Sequence, residues 1–270
     1  MKLLCSEEKI VEINPEEVWT ILLSDRKDEY IVLDVRTPKE YEEGHIPGAL
    51  FITLNELDYR FFELSEEKKI IVYCRSGRRS LGGSILLCNK GFQNIYNMKG
   101  GITDWPYEIV KGAPDEALGL FKEIKEIKEL LIFAVKMEKN SSKFYLNAMQ
   151  KVNDTEIKDL MENLSNFENE HLEIIYNELK KVWLETPSIE EIDDLEFMEG
   201  GISLSRNLLI FEEESITSSA DALEIALEKE CKSFDLYQTM AYNIGSSLKD
   251  VFHSLALQER THIDKLSQLL

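Results

Sequence analysis

The sequence predicts two domains of different class: an α/β domain with a mostly parallel central sheet over residues 1–112, and an all-α four-helix bundle with one long crossover over residues 119–270, joined by a linker at 113–118. Three observations lead there. Short β-like runs alternate with short helical segments through the first 112 residues. From about Leu118 the alternation stops, and apolar residues recur at spacings of three and four. A chain of 270 residues is also long for one hydrophobic core and comfortable for two.

Taken in order, the β-like runs are "KIVEI", "YIVLDV", "ALFIT", "KKIIVYC" and "NIYNM". Between them stand helical segments such as "PEEVWTILL" and "RRSLGGSILLCNKG". Pro15 and Pro38 suit a first helical turn, where a missing N–H costs nothing, and Gly91 suits a helix end that turns left-handed. Strands alternating with helices read as a parallel sheet. "KGAPDEA" at 111–117 supplies the Gly and Pro of a domain junction. Beyond it, four amphipathic stretches follow: "FKEIKEIKELLIFAVKMEKNSSKFYLNAM", "EIKDLMENLSNFENEHLEIIYNELKKVW", "DALEIALEKECKSFDLYQTMA" and "LKDVFHSLALQERTHIDKLSQLL". "VNDT" and "NIGSS" are tight enough to make each pair antiparallel, and the acidic stretch from Glu185 to Ser218, with "MEGGIS" at its centre, is the crossover.

Charge is uneven. The first 112 residues carry a net −4 and the remainder −16 of a total of −20, so the second domain repels phosphate backbones and nucleic acid is excluded as its partner. No apolar run reaches the roughly 18 residues needed to span a bilayer, and "MKLLCSEEKI" has no signal-peptide core. The expected location is cytoplasmic, away from membranes. Cys5, Cys74, Cys88 and Cys231 are scattered without a C-x-x-C, which points to neither a disulfide framework nor a thiolate metal site.

"IIVYCRSGRRS" ends a buried strand at Cys74 and opens a helix near Ser80. Loop amides and the positive helix end can converge on the sulfur, which stabilises a thiolate and keeps it nucleophilic. Arg75, Arg78 and Arg79 add cationic charge suited to an anionic donor. A lone cysteine at a strand end is as readily a small buried hydrophobe; the attached loop favours reactivity. Cys88 falls on the apolar side of the following helix and reads as core, and Cys5 and Cys231 have no supporting constellation. Together with "LDVRTPKEYEEGHIPGA" and "GFQNIYNMKGGITDW", this loop makes residues of about 8–110 resemble a single-domain rhodanese, a sulfurtransferase. The resemblance implies that Cys74 carries sulfane sulfur as a persulfide, held by the loop residues Arg75, Ser76, Gly77, Arg78 and Arg79, and hands it from a donor such as thiosulfate or polysulfide to an acceptor thiol. It also makes His45, in "GHIPGA", part of a structural turn. A cysteine-dependent phosphatase would need Arg six residues after its cysteine, where Ser80 stands.

"FENEHLEII" and "LQERTHIDKL" place a Glu-x-x-His, Glu168 with His171 and Glu259 with His262, on apolar helix faces. His253 lies about 180° round the helix from His262. The other two helices carry Ala134, Glu138 and Tyr145, and Ala226, Glu230 and Tyr237, with the same spacings. The bundle is internally duplicated. A single helical Glu is ordinarily solvated, but four turned into one apolar bundle would each cost several kcal/mol unless neutralised, and two divalent cations neutralise four carboxylates. A Glu from each of two helices and a Glu-x-x-His from each of the others is the carboxylate-bridged dimetal arrangement.

This half resembles the ferritin-like domain of rubrerythrins. The resemblance implies two non-haem irons, with manganese as the alternative because Glu and His suit both. It makes Glu168 and Glu259 bridges, Glu138, Glu230, His171 and His262 terminal ligands, and Tyr145 and Tyr237 hydrogen-bond partners that orient a carboxylate. No rubredoxin module is present, so reducing equivalents would come from an external electron donor. Leu227 and Ser233 occupy the positions three residues either side of Glu230, so no additional Glu stands there. The leading expectation is a sulfurtransferase joined to a di-iron domain with peroxide- or oxygen-linked redox activity. The alternatives are a sulfur carrier whose bundle binds iron or drives oligomerisation without redox chemistry, a homodimer included, and a persulfide or peroxide sensor.

Overall fold

A computed structural model describes residues 5–24, 29–112, 126–195, 198, 219–243 and 248–269. The expected linker at 113–118 and most of the expected crossover, including "MEGGIS" beyond Met198, lie outside the described residues. The chain divides into two compact units, Met1–Ala113 and Pro114–Leu270.

The first unit is a five-stranded, all-parallel sheet in the order β1-β5-β4-β2-β3, formed by β1 (Val11–Ile13), β2 (Tyr30–Asp34), β3 (Leu50–Phe51), β4 (Lys69–Tyr73) and β5 (Ile95–Met98). Its helices are α1 (Pro15–Leu22), α2 (Pro38–Glu42), α3 (Leu57–Arg60) and α4 (Arg78–Lys90). Pro15 and Pro38 open α1 and α2, where Glu17 and Glu40 accept from the backbone N–H of Asn14 and Thr37 at 3.0 and 3.1 Å. Gly91 closes α4 with φ +110°, left-handed as the sequence suggested. Because side chains alternate along a strand, β4 serves two cores. Ile70, Val72 and then Cys74 face Leu57, Leu87 and Phe92, while Ile71 and Tyr73 face Val18, Ile46 and Trp105. Cys74 thus leaves the sheet on the side that α4 covers.

One expectation is overturned in this unit. Cys5 and Cys88 form a disulfide, with Cα atoms 5.9 Å apart, and Cys5 N–H donates to Asn89 Oδ1 at 3.1 Å. Their separation of 83 residues gives no local signal. The fold makes them neighbours by laying the residues before β1 along the C-terminal end of α4. Cys74 and Cys231 are outside disulfides and buried.

The second unit is largely helical. Its long helices are α5 (Ile127–Lys151), α6 (Thr155–Val182), α7 (Ser219–Asn243) and α8 (Lys249–Ser267). Only three residues separate α5 from α6, and Asp154 caps α6 by accepting from Glu156 N–H and Ile157 N–H. The pair runs antiparallel, with Ser142 Oγ and Ser165 Oγ 3.0 Å apart where small side chains let the helices close up. α7 and α8 form the second close pair. The start of the stretch after α6 is pinned back on these helices: Tyr176 OH donates to Pro187 O at 2.8 Å and Lys139 Nζ to Ile192 O at 3.0 Å. No described helix is long and apolar enough to cross a membrane.

Candidate functional site

Among the described residues, two groups stand out for the chemistry they could do, one in each unit. In the first, strand β4 delivers Cys74 to a four-residue turn before α4. Cys74 is only 1% exposed, and burial alone would push its thiol up. Ser80 Oγ at 3.4 Å and the backbone N–H groups of Ser80, Ser76 and Gly77 outweigh that and hold the thiol below its usual range. A helix N-terminus aimed at a sulfur favours the thiolate in this way. Gly77 supplies the geometry with φ +87°, a conformation that a side chain would disfavour.

The loop residues divide by environment. Arg75, Ser76 and Arg78 are exposed, Gly77 is buried, and Arg79 is half-buried and pairs with Glu40 of α2 at 2.5 Å. That pair brings the Glu40 carboxyl down to about 2. Beside the loop is a cleft of about 400 Å³ whose lining includes Arg36, Arg75, Thr103 and Trp105. Arg36 is held there by Asp34 and by Gly44 O, each at 2.7 Å. His45 is fully buried, its Nδ1 3.0 Å from Tyr41 O, and it serves the turn rather than the cleft.

Three contributors to this site carried no assigned role at the level of sequence. Ser80 lies 2.6 Å from Asn97 Oδ1 of β5 as well as near the sulfur. Gly101, with φ +60°, sits so close behind the site that a Cβ there would fall 2.3 Å from Cys74 O and 2.7 Å from Arg75 O. The same segment grips the turn through Ile102 N–H to Cys74 O at 2.8 Å and Thr103 N–H to Arg75 O at 3.0 Å. The paired glycines of "MKGGITDW", directly after a strand, are the signal that could have found this clamp.

In the second unit all six predicted ligand residues come together. Glu138 of α5, Glu168 and His171 of α6 and Glu259 of α8 form one group; Glu168, Glu230 of α7, Glu259 and His262 of α8 form the other; within each, one candidate ligand atom per residue lies within 4.8 Å of the rest. Glu168 and Glu259 belong to both. The four carboxylates are completely buried. His171 Nδ1 is 3.2 Å from Glu259 Oε1 and 3.6 Å from Glu168 Oε2, and His262 Nδ1 is 3.0 Å from Glu230 Oε2. The hydroxyls of Tyr145 and Tyr237 donate to Glu230 and Glu138, each to the Glu of the other repeat.

Crowding sets the electrostatics. Burial, then the charges of Glu230 and Glu168, push Glu259 up to about 7. Burial also raises Glu168, but the Lys229 ammonium and His171 prevail and bring it to about 2. Burial depresses His262, yet Glu230 and Glu259 lift it to about 9. Whether the set fits a metal is decided by its lone pairs: Glu168 Oε2, both Glu259 oxygens and both His171 nitrogens are buried without a hydrogen-bond partner among the described residues. A buried carboxylate left so is costly, and a divalent ion is the partner that an oxygen and imidazole set fits. Lys229 is the residue the sequence reading missed. Its Nζ is 2.6 Å from Glu168 Oε1 and it is 1% exposed.

The Rhodanese-like domain family matches residues 14–107. A sulfurtransferase of Allochromatium vinosum is 36% identical over 83 residues, which are 31% of this chain and 77% of that protein. YrkF of Bacillus subtilis, named for sulfur carriage, is 42% identical over 74 residues, 27% of this chain and 40% of its own length. Among solved structures, a rhodanese-related protein of Thermoplasma volcanium is 32% identical and is matched over 97% of its length and 37% of this chain, with a TM-score of 0.34. The parallel sheet with a cysteine in an amide-lined turn after its central strand is the rhodanese-like class of domain. The chain belongs to the rhodanese family through its first unit.

Proposed function

We propose that the first unit is a sulfurtransferase that carries sulfur on Cys74. The observation that carries this reading is the buried Cys74 thiol, set in the turn before α4 and held below its usual range by three amides and Ser80. The Cys74 thiolate attacks the outer, sulfane sulfur of a donor such as thiosulfate. A new S–S bond forms, the donor's S–S bond breaks, and sulfite departs with the bonding pair. The thiolate of an acceptor then attacks the outer sulfur of the Cys74 persulfide and releases the Cys74 thiolate. Arg75, exposed at the cleft, provides positive charge for an anionic donor, whereas the charge of Arg36 is matched by Asp34. In the Cys74→Ser variant, sulfur transfer from thiosulfate to cyanide is expected to fall to background with metal content unchanged; substantial transfer would assign the sulfur to another cysteine.

The second unit is proposed as a dimetal centre of the ferritin-like, rubrerythrin-like kind. Supporting this are the two overlapping ligand groups and the buried lone pairs they share. Glu168 and Glu259 would bridge, Glu138, Glu230, His171 and His262 would complete the ligand set, and irons bound there would supply redox chemistry towards peroxide or oxygen. Around them, Tyr145 and Tyr237 hold Glu230 and Glu138 in place. Metal analysis of protein expressed in iron-replete cells, with peroxide consumption assayed under a supplied reductant, separates a redox centre from one that only binds iron.

A further inference from the structure

The two halves of the metal centre are related by the internal duplication, and one buried position breaks their equivalence. Ala134, Glu138 and Tyr145 correspond to Ala226, Glu230 and Tyr237; in the same register Met137 corresponds to Lys229. Both are 1% exposed, so an uncharged side chain in one half stands where the other half buries an ammonium. Lys229 Nζ contacts Glu168 Oε1 at 2.6 Å and Glu230 Oε1 at 3.4 Å, and it lies 5.1 Å from the centre of the Tyr145 ring.

Those contacts distribute the lone pairs unequally. Glu230 is fully engaged, by the Tyr145 hydroxyl and Lys229 on one oxygen and by His262 Nδ1 at 3.0 Å on the other. In the Glu138 half, both His171 nitrogens have no hydrogen-bond partner among the described residues, and of the shared Glu168 the Oε2 oxygen has none. Two of the four residues of the Glu230–His262 group, Glu168 and Glu230, are therefore already bound to a cation belonging to the chain, whereas in the Glu138–His171 group only Glu168, which like Glu259 is common to both groups, is so bound. Charge points the same way. Two divalent ions balance four carboxylates, so Lys229 brings one positive charge beyond balance, and it brings it beside Glu230.

We propose that Lys229 makes the two metal positions unequal, so that the Glu138–His171 position binds a divalent cation first and the Glu230–His262 position fills only as the ammonium is displaced from Glu168 and Glu230. Lys229 is a positioning residue, and its role rests on the dimetal reading above.

The test is titration of the chelator-treated full chain with Mn2+, followed by calorimetry and by electron paramagnetic resonance, which distinguishes isolated from spin-coupled ions. Wild type should bind two ions in separate steps at least about tenfold apart, the scale of one coupling within an ion-pair network. At one equivalent its spectrum should be that of isolated Mn2+. Lys229→Met, which installs the residue found in the other half, should merge the steps and give coupled pairs at one equivalent. A double exchange, Met137→Lys with Lys229→Met, keeps one buried ammonium and guards against a folding defect in the single variant. In wild type, His171→Ala should lose the tight ion and His262→Ala should keep it; in the double exchange these outcomes should reverse. Equal affinities in wild type, or tight and weak positions that stay in place in the double exchange, would overturn the role of Lys229 while leaving the metal centre standing. Absence of Mn2+ binding by wild type would overturn the metal centre and this role with it.

Discussion

The Cys74 thiol is held low by the turn that follows it, and Ser80 of that turn is itself bonded to a residue that chain order keeps apart, Asn97. Ser80 Oγ has one proton and three acceptors within reach: Cys74 Sγ at 3.4 Å, Gly77 O at 3.0 Å and Asn97 Oδ1 at 2.6 Å. Removing that hydroxyl withdraws a hydrogen bond that favours the thiolate. A thiol held low is ionised over more of the neutral range, so in Ser80→Ala the rise of reactivity with pH should move to higher pH. Alkylation by iodoacetamide, followed across pH, should be about three- to tenfold slower near neutrality, the scale of one ordinary net hydrogen bond. An unchanged profile would leave the amides of Ser76, Gly77 and Ser80 as the whole cause. Gly101→Ala tests the clamp from behind. Its φ of +60° and the 2.3 Å approach to Cys74 O oblige either the loop or the 101–104 turn to shift. The first unit should lose more than about 1 kcal/mol of stability, together with most of its sulfur transfer. Denaturant midpoints and the thiosulfate assay measure the two losses separately.

At the scale of elements, the disulfide joins the segment before β1 to α4, the helix whose N-terminus faces Cys74. Closing a loop between residues 83 apart in sequence restricts the unfolded chain, and reduction should destabilise the first unit by about 2–4 kcal/mol. Thiol titration of the denatured, unreduced protein should count Cys74 and Cys231 alone, with Cys5 and Cys88 appearing after reduction. Four reactive thiols before reduction would contradict the pairing. In the second unit the elements act through shared carboxylates: Glu168 on α6 and Glu259 on α8 each belong to both ligand groups. Glu168→Ala or Glu259→Ala should therefore lower bound metal from about two per chain towards zero, because neither position keeps its ligand set. Metal content by mass spectrometry decides it, and a normal content in both variants would refute the bridging assignment.

For the whole molecule, two compact units with separate cores should unfold as separate calorimetric transitions. An ion bound only by the folded helical unit stabilises that unit in proportion to the logarithm of its concentration over its dissociation constant. Chelation should then lower one transition and leave the other in place, while Cys74→Ser should not change the metal-dependent one. Movement of both transitions on chelation would mean that the units unfold together. Peroxide consumption with a sulfane-sulfur donor and a thiol, compared between wild type and Cys74→Ser, asks whether sulfur carried by the first unit feeds electrons to the second.

What the sequence determined by itself is what local physics encodes. Alternation and the three-four period separate an α/β unit from a helical one. Pro15, Pro38 and Gly91 mark helix ends through fixed φ, a missing N–H and a left-handed conformation, and the Glu-x-x-His spacing places two candidate ligands on one face whatever the surroundings. The tertiary structure alone decided the rest, because spacing along one element says nothing about what a second element brings opposite it. Cys5 meets Cys88 only when the residues before β1 lie along α4. Ser80 reaches Asn97 only because β5 is beside β4 in the sheet. Lys229, next to Glu230 in the sequence and about 100° from it around the helix, reads locally as an ordinary solvated charge. Packing of α7 against α6 turns it into a buried ion pair with Glu168, and its match to buried Met137 was the trace that the duplicated sequence held.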